Sequence, residues 1–133
     1  MRDLLTARLT WAVVGCSPRP HRDSHRIAGL LQQRGNRVIP VNPDAAGQEI
    51  LGERCEAGLA ALPDGARVDV VDIFRRADAA GAHVDEAIAI GARAVWMQLG
   101  VIDEAAAGRA RAAGLEVVMD RCPAIELRRL GLA

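Results

Sequence analysis

Five short apolar runs, at residues 11–14, 37–41, 68–73, 94–97 and 115–119, are rich in valine and isoleucine and are bounded by glycine or polar residues. Continuous rather than alternating hydrophobicity marks strands buried on both faces, as in a parallel sheet. Stretches with helical spacing lie between them. Residues 24–34 set Ile27, Leu30 and Leu31 on one face, with Ser24 as the expected N-cap and Gly35 as the stop. Residues 77–90 align Ala80, Val84, Ala87 and Ile88 and end at Gly91; residues 103–113 run from a capping Asp103 to Gly114. A helix, a glycine and a strand follow one another three times, the punctuation of βαβ units with right-handed crossovers. The pattern predicts an α/β fold, a doubly wound parallel sheet of about five strands with helices on both faces. The piece 44–63 is less regular, with a turn-bounded excursion at 50–52 and a short helix at 58–62. Residues 123–130 read as a last helix with Ile125, Leu127 and Leu130 partly buried. No linker, low-complexity segment or tandem repeat interrupts the chain, so residues 1–133 read as one domain.

Composition narrows the function. Two Trp, one Phe and no Tyr make a poor stacking platform for single-stranded nucleic acid. All 17 basic residues are arginines, balanced by 17 acidic ones, and a formally neutral chain is not a general binder of nucleic acid or membrane surfaces. No run approaches the ~20 apolar residues of a membrane span, and Asp3 and Arg8 interrupt any signal-peptide core. The expected location is cytoplasmic. Cys16, Cys55 and Cys122 are odd in number and lack CxxC spacing, so they read as reduced thiols, with no zinc site.

In a doubly wound sheet the ligand lies outside the carboxyl ends of the strands. The residues that follow the runs are Gly15, Cys16, Ser17, Pro18 and Arg19; Asn42 and Pro43; Phe74, Arg75 and Arg76; Gln98, Leu99 and Gly100; and Asp120, Arg121 and Cys122. Arginines at 19, 75, 76 and 121, with Arg22 nearby, point to an anionic ligand. A glycine that lets the backbone approach a phosphate, followed by a helix with free N–H groups, fits a phosphorylated nucleotide. The loop departs from G-x-G-x-x-G, reading Gly15-Cys-Ser-Pro-Arg-Pro, and the second strand ends in Asn42 rather than the carboxylate that holds the ribose of NAD. No catalytic constellation is visible: His21, His25 and His83 have no strand-end carboxylate partner in sequence. Asp120 and Arg121 read as a structural ion pair, and Trp11 and Trp96 as packing residues.

The segments AVVGCSP, RVIPVNP, VDVVDIFRRAD, AVWMQLGV and VVMDRCPAIE resemble, in order and spacing, the small bacterial CoA-binding proteins. These are similar to the N-terminal CoA-binding Rossmann domain of the succinyl-CoA synthetase α subunit, standing alone. The resemblance covers roughly residues 8–130 and implies a single-domain, Rossmann-like protein that binds coenzyme A or an acyl-CoA. By position it implies that backbone N–H groups of Gly15, Cys16 and Ser17, with the Ser17 hydroxyl, face the pyrophosphate. Val41, Asn42 and Pro43 would flank the adenosine, and Ile73, Phe74 and Arg75 would wall the adenine or ribose. Met97, Gln98 and Leu99 would border the pantetheine path, and Arg19, Arg22 or Arg75 would reach the 3′-phosphate. Synthetase loops often carry more glycine or a nearby lysine; this chain has no lysine. The synthetase's phosphorylated histidine belongs to a second domain and does not carry over, so no catalysis is expected.

Three rival readings stand beside this one: a minimal NAD(P)-binding oxidoreductase, a regulatory subunit that binds another adenine nucleotide, and a partner subunit of an acyl-CoA enzyme without ligand. The apolar tail 127–132 packs either on the domain or on a second copy, as in a homodimer. A CoA thiol near Cys16 or Cys122 would permit a mixed disulfide.

Overall fold

A computed structural model describes residues 1–133. Helix α1 (Arg2–Thr6) leads into β1 (Thr10–Val14), α2 (Asp23–Gln33) and β2 (Arg37–Val41). A small antiparallel pair follows, β3 (Glu49–Ile50) and β4 (Glu53–Arg54). Then come β5 (Val70–Ile73), α3 (Ala77–Ala89), β6 (Ala94–Met97), α4 (Glu104–Ala112), β7 (Glu116–Val118) and α5 (Pro123–Arg129). The main sheet is fully parallel in the order β2-β1-β5-β6-β7. Chain order therefore reverses between β1 and β5, which opens a crevice at the carboxyl ends of those two strands.

Alternate residues of each buried strand point to opposite faces. Ala12, Val14, Val71, Ile73, Val95 and Met97 pack on one side under Ala80, Val84 and Ala87 of α3 and Ala106, Ala107 and Ala110 of α4. Trp11, Val13, Val70 and Trp96 pack on the other under Leu4, Leu5, Ile27, Ala28, Leu31 and Leu127 of α1, α2 and α5. The alanine-rich faces of α3 and α4 let those helices sit close to the sheet, whereas the opposite face takes the tilted Trp11–Trp96 pair, 5.7 Å between ring centres. The Trp96 indole N–H donates to the Arg121 carbonyl at 2.9 Å, anchoring the chain just before α5. The apolar tail folds onto its own domain, with Leu127 buried and Leu130 and Leu132 packed beside it. No helix is long and apolar enough to cross a membrane.

The expected strands and helices form, and three local readings change. Ser24 lies inside α2 rather than capping it; Arg22 occupies the cap position and Ser24 is buried. The third strand begins at Val70 rather than Val68, and just before it the Asp69 carboxylate takes the Thr10 N–H at 2.9 Å. Asp120 and Arg121 do not pair with each other. Asp120, at a positive φ of 59°, accepts the Gly100 N–H at 2.7 Å, and Arg121 reaches the buried Glu126 at 3.1 Å. Asp103 caps α4 as expected, accepting from the Ala106 N–H at 3.0 Å.

Candidate functional site

The loop from β1 to α2 crosses the sheet where strand order reverses. Gly15 has a φ of +84°, and a Cβ there would press into the Phe74 carbonyl oxygen at the end of β5. Only glycine meets both demands. Five hydrogen bonds fix the loop. Gly15 N–H donates to the Val41 carbonyl at 2.7 Å, and Asn42 Nδ2 donates to the Cys16 carbonyl at 3.0 Å. Ser17 N–H donates to Ser24 Oγ at 2.9 Å, Arg19 N–H donates to Ser17 Oγ at 3.1 Å, and His25 Nδ1 donates to the Ser17 carbonyl at 3.0 Å.

Of the three loop N–H groups expected to face an anion, those of Gly15 and Ser17 are engaged inside the loop and only that of Cys16 has no protein acceptor. The N–H groups of Asp23, Ser24 and His25 in the first turn of α2 also have none. Such groups, at the positive end of the helix dipole, form an anion site. They open onto a cleft of about 400 Å³ lined by Gly15, Ser17, Arg19, Arg22, Asp23, Ser24 and Phe74. The Asp23 carboxylate is neutralised by Arg26, and Arg19 and Arg22 have no carboxylate partner, so the cleft keeps two free guanidiniums. The Ser17 hydroxyl accepts from Arg19 and retains its own proton to donate.

Two further hollows adjoin this cleft. One, of about 140 Å³, meets it at Gly15 and is lined by Val14, Val41, Pro43, Ala57, Gly58, Arg75, His83 and Glu86. His83 Nδ1 pairs there with Glu86 at 2.8 Å, a partner from its own helix. The other is a groove of about 470 Å³ that shares Asp23 and Phe74 with the cleft. It runs past Ile27, Gln98, Leu99, Cys122 and Ile125. Leu99, at 57% exposure, leaves an apolar side chain at its mouth.

Gly15, Ser17, Arg19, Arg22, Val41, Pro43, Phe74, Arg75, Gln98 and Leu99 thus line a depression made of three hollows that share lining residues. Cys16, Ile73 and Met97 do not: their side chains are fully buried in the core, under helices that cover both faces of the sheet, and contribute only backbone. Asn42 is a brace. Its amide holds Cys16 while its Oδ1 accepts from the Asp44 N–H at 3.0 Å. Arg76 pairs with Asp78 and Arg121 with Glu126, which removes two of the strand-end arginines from the depression. The lining residues that sequence reasoning missed include Asp23, Ser24, Ala57, Gly58, Glu86 and Ile125. The helix-start position of Asp23 and Ser24 was the available signal for those two; Ala57 and Gly58 come from an irregular segment whose path the sequence does not encode locally.

The thiols differ. Burial first, then the nearby Cys55 and Asp72, pushes Cys16 up to about 12, and burial also raises Cys55. Cys122 is only half-buried and lines the groove.

A model of the CoA binding domain matches residues 9–128. The chain belongs to the CoA-binding domain family. YneT of Bacillus subtilis strain 168, at 34% identity, is aligned over 92% of this chain and 87% of its own. A Thermus thermophilus protein of solved structure is 36% identical, with a TM-score of 0.89 over 97% of this chain and 95% of its own. The likeness extends in fold alone to a dinucleotide-forming acetyl-coenzyme A synthetase of Ca. Korarchaeum cryptofilum. There the TM-score is 0.73 at 23% identity, over 90% of this chain and 28% of that one. The same fold thus also occurs within a much longer chain.

Proposed function

We propose that this CoA-binding domain protein binds coenzyme A or an acyl-CoA and performs no chemistry on it alone. The observation that carries the reading is the composite shape of the depression. A polar anion cleft at the start of α2 lies between a small hollow and a long, partly apolar groove. CoA has the matching order of parts: nucleotide, pyrophosphate, pantetheine arm. The pyrophosphate sits against the free N–H groups of α2, Ser17, Arg19 and Arg22. The adenosine end occupies the hollow beside Val41 and Pro43, where Arg75 is the guanidinium available to the 3′-phosphate. The arm follows Phe74, Gln98 and Leu99. Recognition is the whole mechanism: helix N–H groups and arginines hold phosphate charge, and apolar strand ends exclude water from the arm.

An NAD(P) oxidoreductase is not favoured, because the side chain at the ribose-reading position, Asn42, has both its amide nitrogen and its oxygen engaged in bracing the loop. Calorimetric titration of ligand-stripped protein tests the proposal, with CoA, dephospho-CoA, NAD and NADP compared. Selective CoA binding is expected. Equal affinity for dephospho-CoA would remove Arg75 from its assigned role, and no heat with CoA would overturn the reading.

A further inference from the structure

The groove contains a polar arrangement that the phosphate chemistry leaves unused. Asp72 lies in β5 between Val13 and Trp96 in register, and is fully buried. Gln98, at the end of β6, is 6% exposed, and its Nε2 donates to Asp72 Oδ1. The amide nitrogen faces Asp72 Oδ1, the accepting oxygen of the carboxyl, and the amide oxygen is turned away from it. That oxygen, Oε1, has no partner in the protein, yet it is not sealed from solvent as the orphaned Asp72 Oδ2 is. Gln98 borders open space in the groove. A nearly buried side chain thus offers one unpaired acceptor to whatever lies there.

An unpaired acceptor in a half-apolar groove selects a ligand with an N–H donor at that point, since a group that lacks one leaves it desolvated and unsatisfied. The pantetheine arm carries two amide N–H groups along an otherwise flexible chain. We infer that Asp72 is a positioning residue. It holds the Gln98 amide so that Oε1 accepts a hydrogen bond from an amide N–H of the bound arm, which gives the groove its preference for a pantetheine-like chain over a plain alkyl one. This inference rests on the CoA reading above. Without Asp72 the amide can turn, and a donor then faces the ligand's donor.

The test compares CoA with 3′-phosphoadenosine 5′-diphosphate, which is CoA without its arm. Three variants are used: Asp72→Val, which removes the anchor at nearly equal size; Asp72→Asn, which keeps an acceptor for Gln98 Nε2; and Gln98→Leu. Asp72→Val and Gln98→Leu should each weaken CoA about tenfold, the worth of one hydrogen bond, and leave the armless nucleotide unchanged. The double variant should lose no more than either alone, since both act through one contact. Asp72→Asn should bind CoA as the unaltered protein does. If Asp72→Val fails to fold, Asp72→Asn and Gln98→Leu still decide: rescue by the first with an arm-specific loss in the second supports the assignment. An unchanged CoA affinity in Gln98→Leu, or an equal loss for both ligands, overturns it. Failure of the unaltered protein to bind either ligand overturns the CoA reading itself, and the arm contact with it.

Discussion

Replacing Asp72 with asparagine should change the way stability depends on pH near neutrality. Asp72 is buried in the middle of a parallel sheet, and desolvation raises its carboxyl from the ordinary 3.8 to about 8, with the Gln98 hydrogen bond opposing the rise. The folded protein therefore keeps this proton at pH 7, whereas the unfolded chain has released it. A raised folded-state value means that the contribution is complete below pH 3.8 and is lost as pH climbs to about 8. Each pH unit in that window costs the folded state about 1.4 kcal/mol, so between pH 5 and pH 8 the loss is about 4 kcal/mol. The amide of the Asp72→Asn variant would stay neutral in both states. Its oxygen would still accept from Gln98, and its nitrogen would sit where the partnerless Oδ2 now lies, a fixed cost of about 1–3 kcal/mol at every pH. Urea unfolding followed by circular dichroism at pH 5, 6, 7 and 8 measures both proteins, and the comparison isolates the one position that differs. The expected result is a difference that moves in favour of Asp72→Asn by about 4 kcal/mol across the series and levels above pH 8. Parallel stability curves would mean that Asp72 is ionised in the fold, and the account of a neutral acid beneath Gln98 would be wrong.

Three other substitutions or treatments probe separate parts of the site. Gly15→Ala should destabilise by about 2 kcal/mol or more, from the positive φ and the clash with Phe74 together, and should abolish CoA binding in the fraction that folds; a stable variant with full affinity would show that the loop relaxes freely. Arg19→Gln with Arg22→Gln should weaken CoA at low salt and flatten the salt dependence of binding, measured by titration at two ionic strengths; an unchanged salt response would place the pyrophosphate elsewhere. Labelling with a thiol reagent at pH 8 should modify Cys122 well ahead of Cys16, whose thiol stays protonated up to about 12. Mass spectrometry of the digested protein reads the order, and early modification of Cys16 would contradict its burial.

The sequence carries the architecture because the architecture is a matter of local periodicity. Runs such as 94–97 hydrophobic throughout and helices closed by Gly35, Gly91 and Gly114 are visible without any tertiary knowledge. The loop tip was legible for the same reason, since a strand that ends in Gly15 and leads to a helix has few other uses. The lining of the cleft was not. Cys16, Ile73 and Met97 are sealed in the core, and a fully apolar run conceals which residues face which helix layer. Asn42, expected to flank the adenosine, is a brace between the ends of β1 and β2. Asp72 passed unnoticed because an aspartate inside an apolar run is informative only when its neighbour across the sheet is known, and Gln98 reaches it from a different strand.

The single glycine of the loop has a physical explanation. A G-x-G-x-x-G turn needs its later glycines where the loop backbone itself touches the pyrophosphate and the helix packs tightly on the strand. Here the backbone N–H groups of Gly15 and Ser17 are bound within the protein, and the first turn of α2 supplies three free donors at residues that are not glycine. Close approach survives only at one crossing, Gly15 against the Phe74 carbonyl, so one glycine suffices. The positions released from glycine are occupied by Ser17, Arg19 and, at the helix cap, Arg22, all of which line the anion cleft. Charge from side chains replaces intimacy with backbone, and this accounts for an anion cleft built in a chain with no lysine and a loop of Cys, Ser and Pro.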